Sequence, residues 1–568
     1  VKKETIGLML GLFLLFGGYF YAQSYYIKQQ QATIELQNKQ QAQLHKVQPE
    51  NSQLKTNASQ VTSHVEQVGQ ANTSSASTEQ LPLVVVNPSD LILKVPYATF
   101  EFTPEGGCLG KNSLVGEKVA YNDPTPVSVI QNYNICKAYG FRVGTTDLRN
   151  QPARIEKTAD GSTQIIQRAN GLEILRTFKF YDKDYNGEFQ ITVKNNSQYQ
   201  QNTNVDFEMG ATSDNQNSGG LFSSHPAEFH GAALRLANGD VNRVMTPFDA
   251  ESTYKVMHSE TGVVPTWLSV DSHYWMNTLI PLSHNPLNFE VVRTGNLLRK
   301  DGLSPADQTV YEAWVKQPVN LMPGQSVTFN YKVYFGPKNE TILSHFDQYS
   351  LYQTIDYGFF KIIARPLYHV LFFLHNLIGN WGIAIIILTF CINILFLPLQ
   401  IKGYSAAQKM QLIQPQIKEI QAKYKDDKQA LQRETMSLMS KSGVNPLSGC
   451  LPLLPQIPVF FGLDTCLRNT FDLRQSPFFF WIKDLTQADP YFVLPVLMAF
   501  LMIGYQKMMP MPSMDPTQAK MMKILPIVFS VFMIFYPSGL ALYVITNTII
   551  SMIRQGFLTR HFKKAQAK

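Results

Sequence analysis

Past residue 356 this chain carries five apolar stretches, roughly 379–399, 446–466, 490–508, 523–537 and 538–555, while the sequence before them is polar. A helix needs about 20 apolar residues to cross a bilayer. Four stretches come near that length, and the fourth, Ile524 to Tyr536 between Lys523 and Pro537, would reach only about 20 Å at 1.5 Å per residue. A span that short implies a thinned bilayer or a tilted neighbour. The mean hydropathy of −0.11 averages these two unlike halves, and 568 residues are too many for one core.

A sixth apolar run, Ile6 to Tyr21, follows Lys2 and Lys3 and leads into AQSYYIKQQ without a small-x-small cleavage site. It predicts an uncleaved anchor over residues 1–27 with a cytoplasmic N-terminus. Residues 28–80 are rich in Gln, Ser, Asn and Thr and predict a disordered tether. From 81 to about 340 the period is two. Phe178 and Phe180 alternate with Thr177 and Lys179, a DYNG turn follows, then Phe189, Ile191 and Val193; Val327 to Phe335 repeats the pattern after Pro323-Gly324. Such strands predict an exported β-sandwich. Its Cys108 and Cys136 would either form a disulfide or stay buried thiols.

In residues 356–378 Lys361, Arg365 and His369 share one helical face, as in an amphipathic helix lying in the membrane surface. The connection 401–445 carries Ile413, Ile417, Ile420 and Tyr424, then KYKDDK, then Leu431 and Leu438, an antiparallel helical hairpin. It and the tail 556–568 are rich in Lys and Arg, whereas in 467–489 three basic residues meet three acids. Spans at 379–400, 446–466, 490–508, 523–537 and 538–555, with the first anchor, put the hairpin, the loop 509–522 and both termini in the cytoplasm. The Met-rich loop around Met508 to Met522 offers adaptable contacts or packs on lipid.

The five cysteines have no metal spacing, and no nucleophile elbow, phosphate loop or paired acids occur, so neither catalysis nor a cofactor is expected. The net charge of +7, without nucleic-acid motifs, points to lipid. Polar residues recur inside the spans: Thr389 and Asn393, Gln456 beside Pro455 and Pro458, and the stripe Tyr543, Asn547, Ser551. In lipid such groups face one another or water, and proline-broken backbone survives only against protein or a wet cavity. A hydrated groove follows, with Lys402 or Arg554 supplying charge near its mouth.

The segments NPLSGCLPLLPQIPVFF, DLRQSPFFFWIKDL, DPYFVLPVLM, YPSGLALY and GNWGIAIIILTF resemble the core of the YidC/Oxa/Alb membrane-protein insertases, in the layout of Gram-negative members. The resemblance implies a periplasmic β-supersandwich, a five-helix core, and a groove open to cytoplasm and lipid, lined here by Thr389, Gln456 and the Tyr543 region. It also implies nascent membrane proteins as substrates, and the Sec translocon and ribosome as partners. The family places an arginine four residues after the threonine of the TF pair, where this chain has Asn393; Val544 stands where a second tyrosine is common. A small-solute transporter, or a periplasmic glycan- or lipid-binding module on a helical anchor, are the competing functions.

Overall fold

The computed structural model describes residues 87–566 apart from 122, 131–137, 215–230, 245–253, 259–264, 283–286, 295–308, 425–426, 443–452 and 509–515. The expected anchor, the tether, Cys136, Pro446, Pro452 and part of the Met-rich loop lie outside the described residues.

The alternating sequence folds into three antiparallel sheets of four, nine and six strands among the described residues. In the nine-stranded sheet the strand Ser326–Pro337 lies between Asn186–Asn195 and Trp275–Pro281. Phe189 pairs with Phe178 and Val193 with Ile174. Asp184 and Tyr185 supply the positive φ angles of the turn between those two strands. Inward residues Phe178, Phe189, Phe207 and Phe335 surround Tyr139, whose hydroxyl donates to Asn277 Oδ1 at 3.0 Å. Cys108 is disulfide-bonded, and Cys136, the expected partner, is outside the described residues.

The sheet's far face is not bare. The connecting arm, beginning with helix α1 (Glu340–Ser344) and running on to Tyr357, lays Leu343, Phe346, Leu351 and Ile355 over Trp267, Met276 and Tyr334. Alternation therefore fails at the end of Ser326–Pro337, where successive residues from Val333 are all buried.

Helix α2 (Lys361–Ile378) ends at Gly379, in the left-handed region, and Asn380 caps α3 (Trp381–Leu395) by accepting from Ile383 N at 3.0 Å. The polar stripe of α2 does not point only at solvent: Arg365 reaches Glu340 at 3.2 Å and stacks over Tyr352. Farther along the same i+4 row Phe373 and Leu377 are exposed, as is Ile362 beside it. A 58° bend separates α3 from α4 (Leu397–Leu412). Pro398 explains a break inside the expected span 379–400, because proline fits a helix's first turn but denies its N–H to the preceding turn.

The hairpin continues as α5 (Gln414–Lys423) and α6 (Lys428–Lys441), the latter capped by Asp427. Then come α7 (Leu453–Asn469), α8 (Val493–Met508), α9 (Pro516–Phe532) and α10 (Ser538–Gln566). α9 closes in a single 3-10 turn, Met533–Phe535, before Pro537, and α10 runs on past the end of its apolar stretch because no breaker follows. Among the described residues no single helix is long and apolar enough to cross a membrane; the bent pair of α3 and α4 is the one that passes together.

Candidate functional site

The helical part is packed unevenly. Trp381, Ile385, Leu388, Leu463, Leu467, Leu485 and Leu540 are buried together at the end beside the β-sandwich. Toward the other end Leu395, Ile553 and Phe557 are about 70 % exposed (72 %, 69 % and 71 %).

The expected polar residues lie where this packing loosens, and the structure joins most of them in pairs. Asn393 Nδ2 on α3 donates to Asn547 Oδ1 on α10 at 2.9 Å, and also to Thr389 O at 2.9 Å. Gln456 Nε2 on α7 donates to Tyr543 Oη on α10 at 2.6 Å. Thr389 is different: it is buried and spends its hydroxyl on Ile385 O of its own helix at 2.7 Å. Tyr543 is likewise buried, so Gln456 and Asn547, both half-buried, present the accessible edge. Pro458 lies inside α7 and withholds a backbone donor there, which keeps that turn from closing its own hydrogen bonds.

One residue enters more fully than the sequence made plain. Arg554 extends the stripe of Tyr543, Asn547 and Ser551 by three positions, and its Nη1 donates to Asn393 Oδ1 at 3.2 Å and its Nη2 to Ser551 Oγ at 3.0 Å. The Tyr505 hydroxyl on α8 lies close to both Arg554 and Ser551. The spacing could have identified it, since i+3 neighbours share a helix face. Lys402, the other expected charge, is exposed on α4 beyond the bend, whereas Gln400 there is half-buried.

The sandwich is tied to the opposite end of these helices. Asp472 accepts from Asn339 Nδ2 at 2.7 Å and from Tyr368 Oη at 3.0 Å. Tyr274 Oη donates to the Arg468 carbonyl at 2.9 Å, near the C-terminal end of α7, where helix carbonyls lack internal partners. Arg474 reaches Glu117 at 3.5 Å and the Val119 carbonyl at 2.8 Å. Among the described residues no group of three His, Cys, Asp or Glu side chains could hold a metal ion.

A β-sandwich fastened to an apolar helical part, whose buried polar groups cross between helices, defines a membrane-associated protein. Residues 155–370 match the family model described as YidC periplasmic domain, and 373–566 the one described as 60Kd inner membrane protein. The chain is 35% identical over 480 residues to the membrane protein insertase YidC of Francisella tularensis subsp. novicida (strain U112), covering 81% of this chain and 82% of the relative. It is 34% identical over 479 residues to the same-named protein of Francisella tularensis subsp. holarctica (strain LVS), with the same coverage. A solved structure titled "Active YidC insertase crystal structure with the first transmembrane domain resolved" aligns over 81% of this chain and 91% of its own at 18% identity and a TM-score of 0.35, a likeness too loose to carry an argument. The chain belongs to the YidC family of inner-membrane insertases.

Proposed function

We propose that this chain inserts newly made proteins into the inner membrane, and helps them fold, through a polar groove on the loosely packed side of α3, α7, α8 and α10. In this reading the five apolar stretches and the N-terminal run are six spans, both termini are cytoplasmic, and the sandwich is periplasmic. The Sec translocon is a working partner for some substrates, and the hairpin with the basic tail receives the ribosome.

The carrying observation is the pair of cross-helix contacts Asn393–Asn547 and Gln456–Tyr543 at the boundary between the packed and open ends. Interhelical hydrogen bonds contribute only about 0.6 to 2 kcal/mol each, so polar residues recurring on α3, α7 and α10 are more than adhesion needs. They suit a surface that water reaches from one side. An arriving span gains about 0.3 to 0.6 kcal/mol for each strongly apolar residue near the bilayer centre, while each charge in the flank that must cross costs about 2.5 to 3.5 kcal/mol. A wet groove keeps that flank hydrated for part of its path, and the short α9 stretch shortens the remainder. Transfer is then downhill without nucleotide.

Photo-crosslinking of stalled nascent chains tests this. Probes at Gln456 and Asn547 should capture the arriving span, and a probe at Phe373, exposed on α2 outside the groove, should not. Equal capture at all three positions, or none at the first two, would reject the groove.

A further inference from the structure

The joint between sandwich and helices is not filled: a cavity of about 860 Å³ lies in it. Val119, Tyr121, Tyr274 and Trp275 of the sandwich line one wall, and the loop between α7 and α8 supplies the other with Trp481, Lys483, Asp484 and Tyr491. That loop is pre-built. The buried Asp489 carboxylate accepts from Trp481 Nε1 at 2.9 Å, Tyr491 N at 3.0 Å and Leu494 N at 2.7 Å, which ties both rings to the start of α8. A ligand entering here need not order the wall first. Two observations bear on what enters. Arg474 on the wall is engaged by Glu117 at 3.5 Å, but among the described residues Lys483 pairs with no carboxylate, and Asp484 pairs with no cation and accepts only from Thr486 N and Oγ1 at 2.8 and 2.7 Å. A neighbouring cation and anion beside indole and phenol rings match a zwitterion, with a phosphate on the lysine and an ammonium on the carboxylate and ring faces. The cavity also reaches the apolar surface. Tyr491 is exposed at its edge, and the exposed Val493, Val496 and Phe500 continue from there along one face of α8. In an inner-membrane protein such a face meets acyl chains, and tyrosine belongs at the level of the headgroups.

Resting on the periplasmic placement of the sandwich proposed above, we infer that this cavity binds one outer-leaflet phospholipid with a zwitterionic, phosphoethanolamine-type headgroup. Its phosphate sits at Lys483, its ammonium at Asp484, and its chains lie over Val493, Val496 and Phe500. Bound there, the lipid fills the joint and fastens the sandwich to the membrane.

The test is native mass spectrometry of the full chain in mild detergent, offered equal amounts of phosphatidylethanolamine and phosphatidylglycerol with the same acyl chains. Wild type should retain the former in preference. Lys483→Glu, at an exposed position where folding is not at stake, should lower that retention about tenfold, as for loss of one charge-assisted contact. Ala488→Trp, on the cavity wall, should obstruct the site and lower it as well. Lys194→Glu makes the same charge change on an exposed strand position outside the cavity and should leave retention unchanged. Equal retention of the two lipids by wild type, no effect of either cavity variant, or an equal loss in Lys194→Glu would overturn the inference. Soluble glycerophosphoethanolamine that competes as well as the lipid would overturn the lipid assignment. The placement is read separately, by labelling Lys194→Cys in intact spheroplasts with an impermeant thiol reagent. Labelling only after lysis would overturn the periplasmic placement, and with it the leaflet assigned here, whatever the lipid retention.

Discussion

Asn393 on α3 and Asn547 on α10, 154 positions apart, share a hydrogen bond of 2.9 Å, and the carbonyl of the same Asn393 side chain accepts from Arg554. One amide thus uses its donor end and its acceptor end on the same neighbouring helix, which fixes its orientation and makes both ends hard to replace.

Asn393→Leu removes both contacts and leaves Arg554 and Asn547 short of a partner each. We expect a loss of about 1 to 3 kcal/mol in stability, two hydrogen bonds at about 0.5 to 1.5 kcal/mol each. Thermal unfolding of the detergent-solubilised protein measures it. Complementation of an insertase-depleted strain should weaken in parallel; normal growth would show that Asn393 is dispensable.

The Gln456–Tyr543 pair should respond asymmetrically. Gln456→Leu strands the hydroxyl of a tyrosine that is itself 1 % exposed and should cost about 1 to 3 kcal/mol. Tyr543→Phe leaves a half-buried amide that water can satisfy, so the cost should stay near 0.5 to 1.5 kcal/mol, about that of one ordinary hydrogen bond. Equal melting temperatures for the two variants would contradict this ordering.

At the joint between sandwich and helices, burial raises the Asp472 carboxyl above its ordinary value, opposed in part by Tyr368 and Asn339. A raised folded-state value means that the folded protein binds the proton more tightly than the unfolded chain. Its stabilising effect is complete below the unfolded value and is lost as pH rises through the folded one. Asp472→Asn lacks that proton. Wild type should therefore gain stability relative to Asp472→Asn as pH falls across the window, followed by melting temperature or by protease resistance of the joint; a flat difference would remove the titration from Asp472.

Gly382 on the first turn of α3 leaves room for the Phe478 ring, which an added Cβ would overlap. Gly382→Ala should destabilise by about 1 to 3 kcal/mol, typical of overpacking. Unfolding measurements on the purified protein would register it, and a neutral result would mean that the Phe478 loop yields freely.

Much of the architecture is local enough to be legible. The alternation around Phe178 and Phe189 appears as an antiparallel pair closed by a turn with Asp184 and Tyr185 in the left-handed region, since strand period and turn chemistry act over a few residues. Arg176 is the counterexample: it sits on the inward face between Ile174 and Phe178, where pattern alone expects an apolar side chain. It is fully buried because the Gly106, Gly107 and Tyr139 carbonyls and Gln167 Oε1 accept its protons. Nothing near Arg176 in the chain announces those acceptors. The arm covering Tyr334 is invisible for the same reason.

By itself the sequence determined that the chain has an alternating half and an apolar half, and that the apolar half carries polar residues on α3, α7 and α10, because periodicity and side-chain cost are properties of neighbours along the chain. Only the tertiary structure decided which of them meet, that Thr389 turns its hydroxyl back on its own helix, and that Arg554 comes to rest on Asn393. Those outcomes depend on how helices far apart in sequence pack side by side, and a polar group's role is set by which partner arrives within hydrogen-bonding distance.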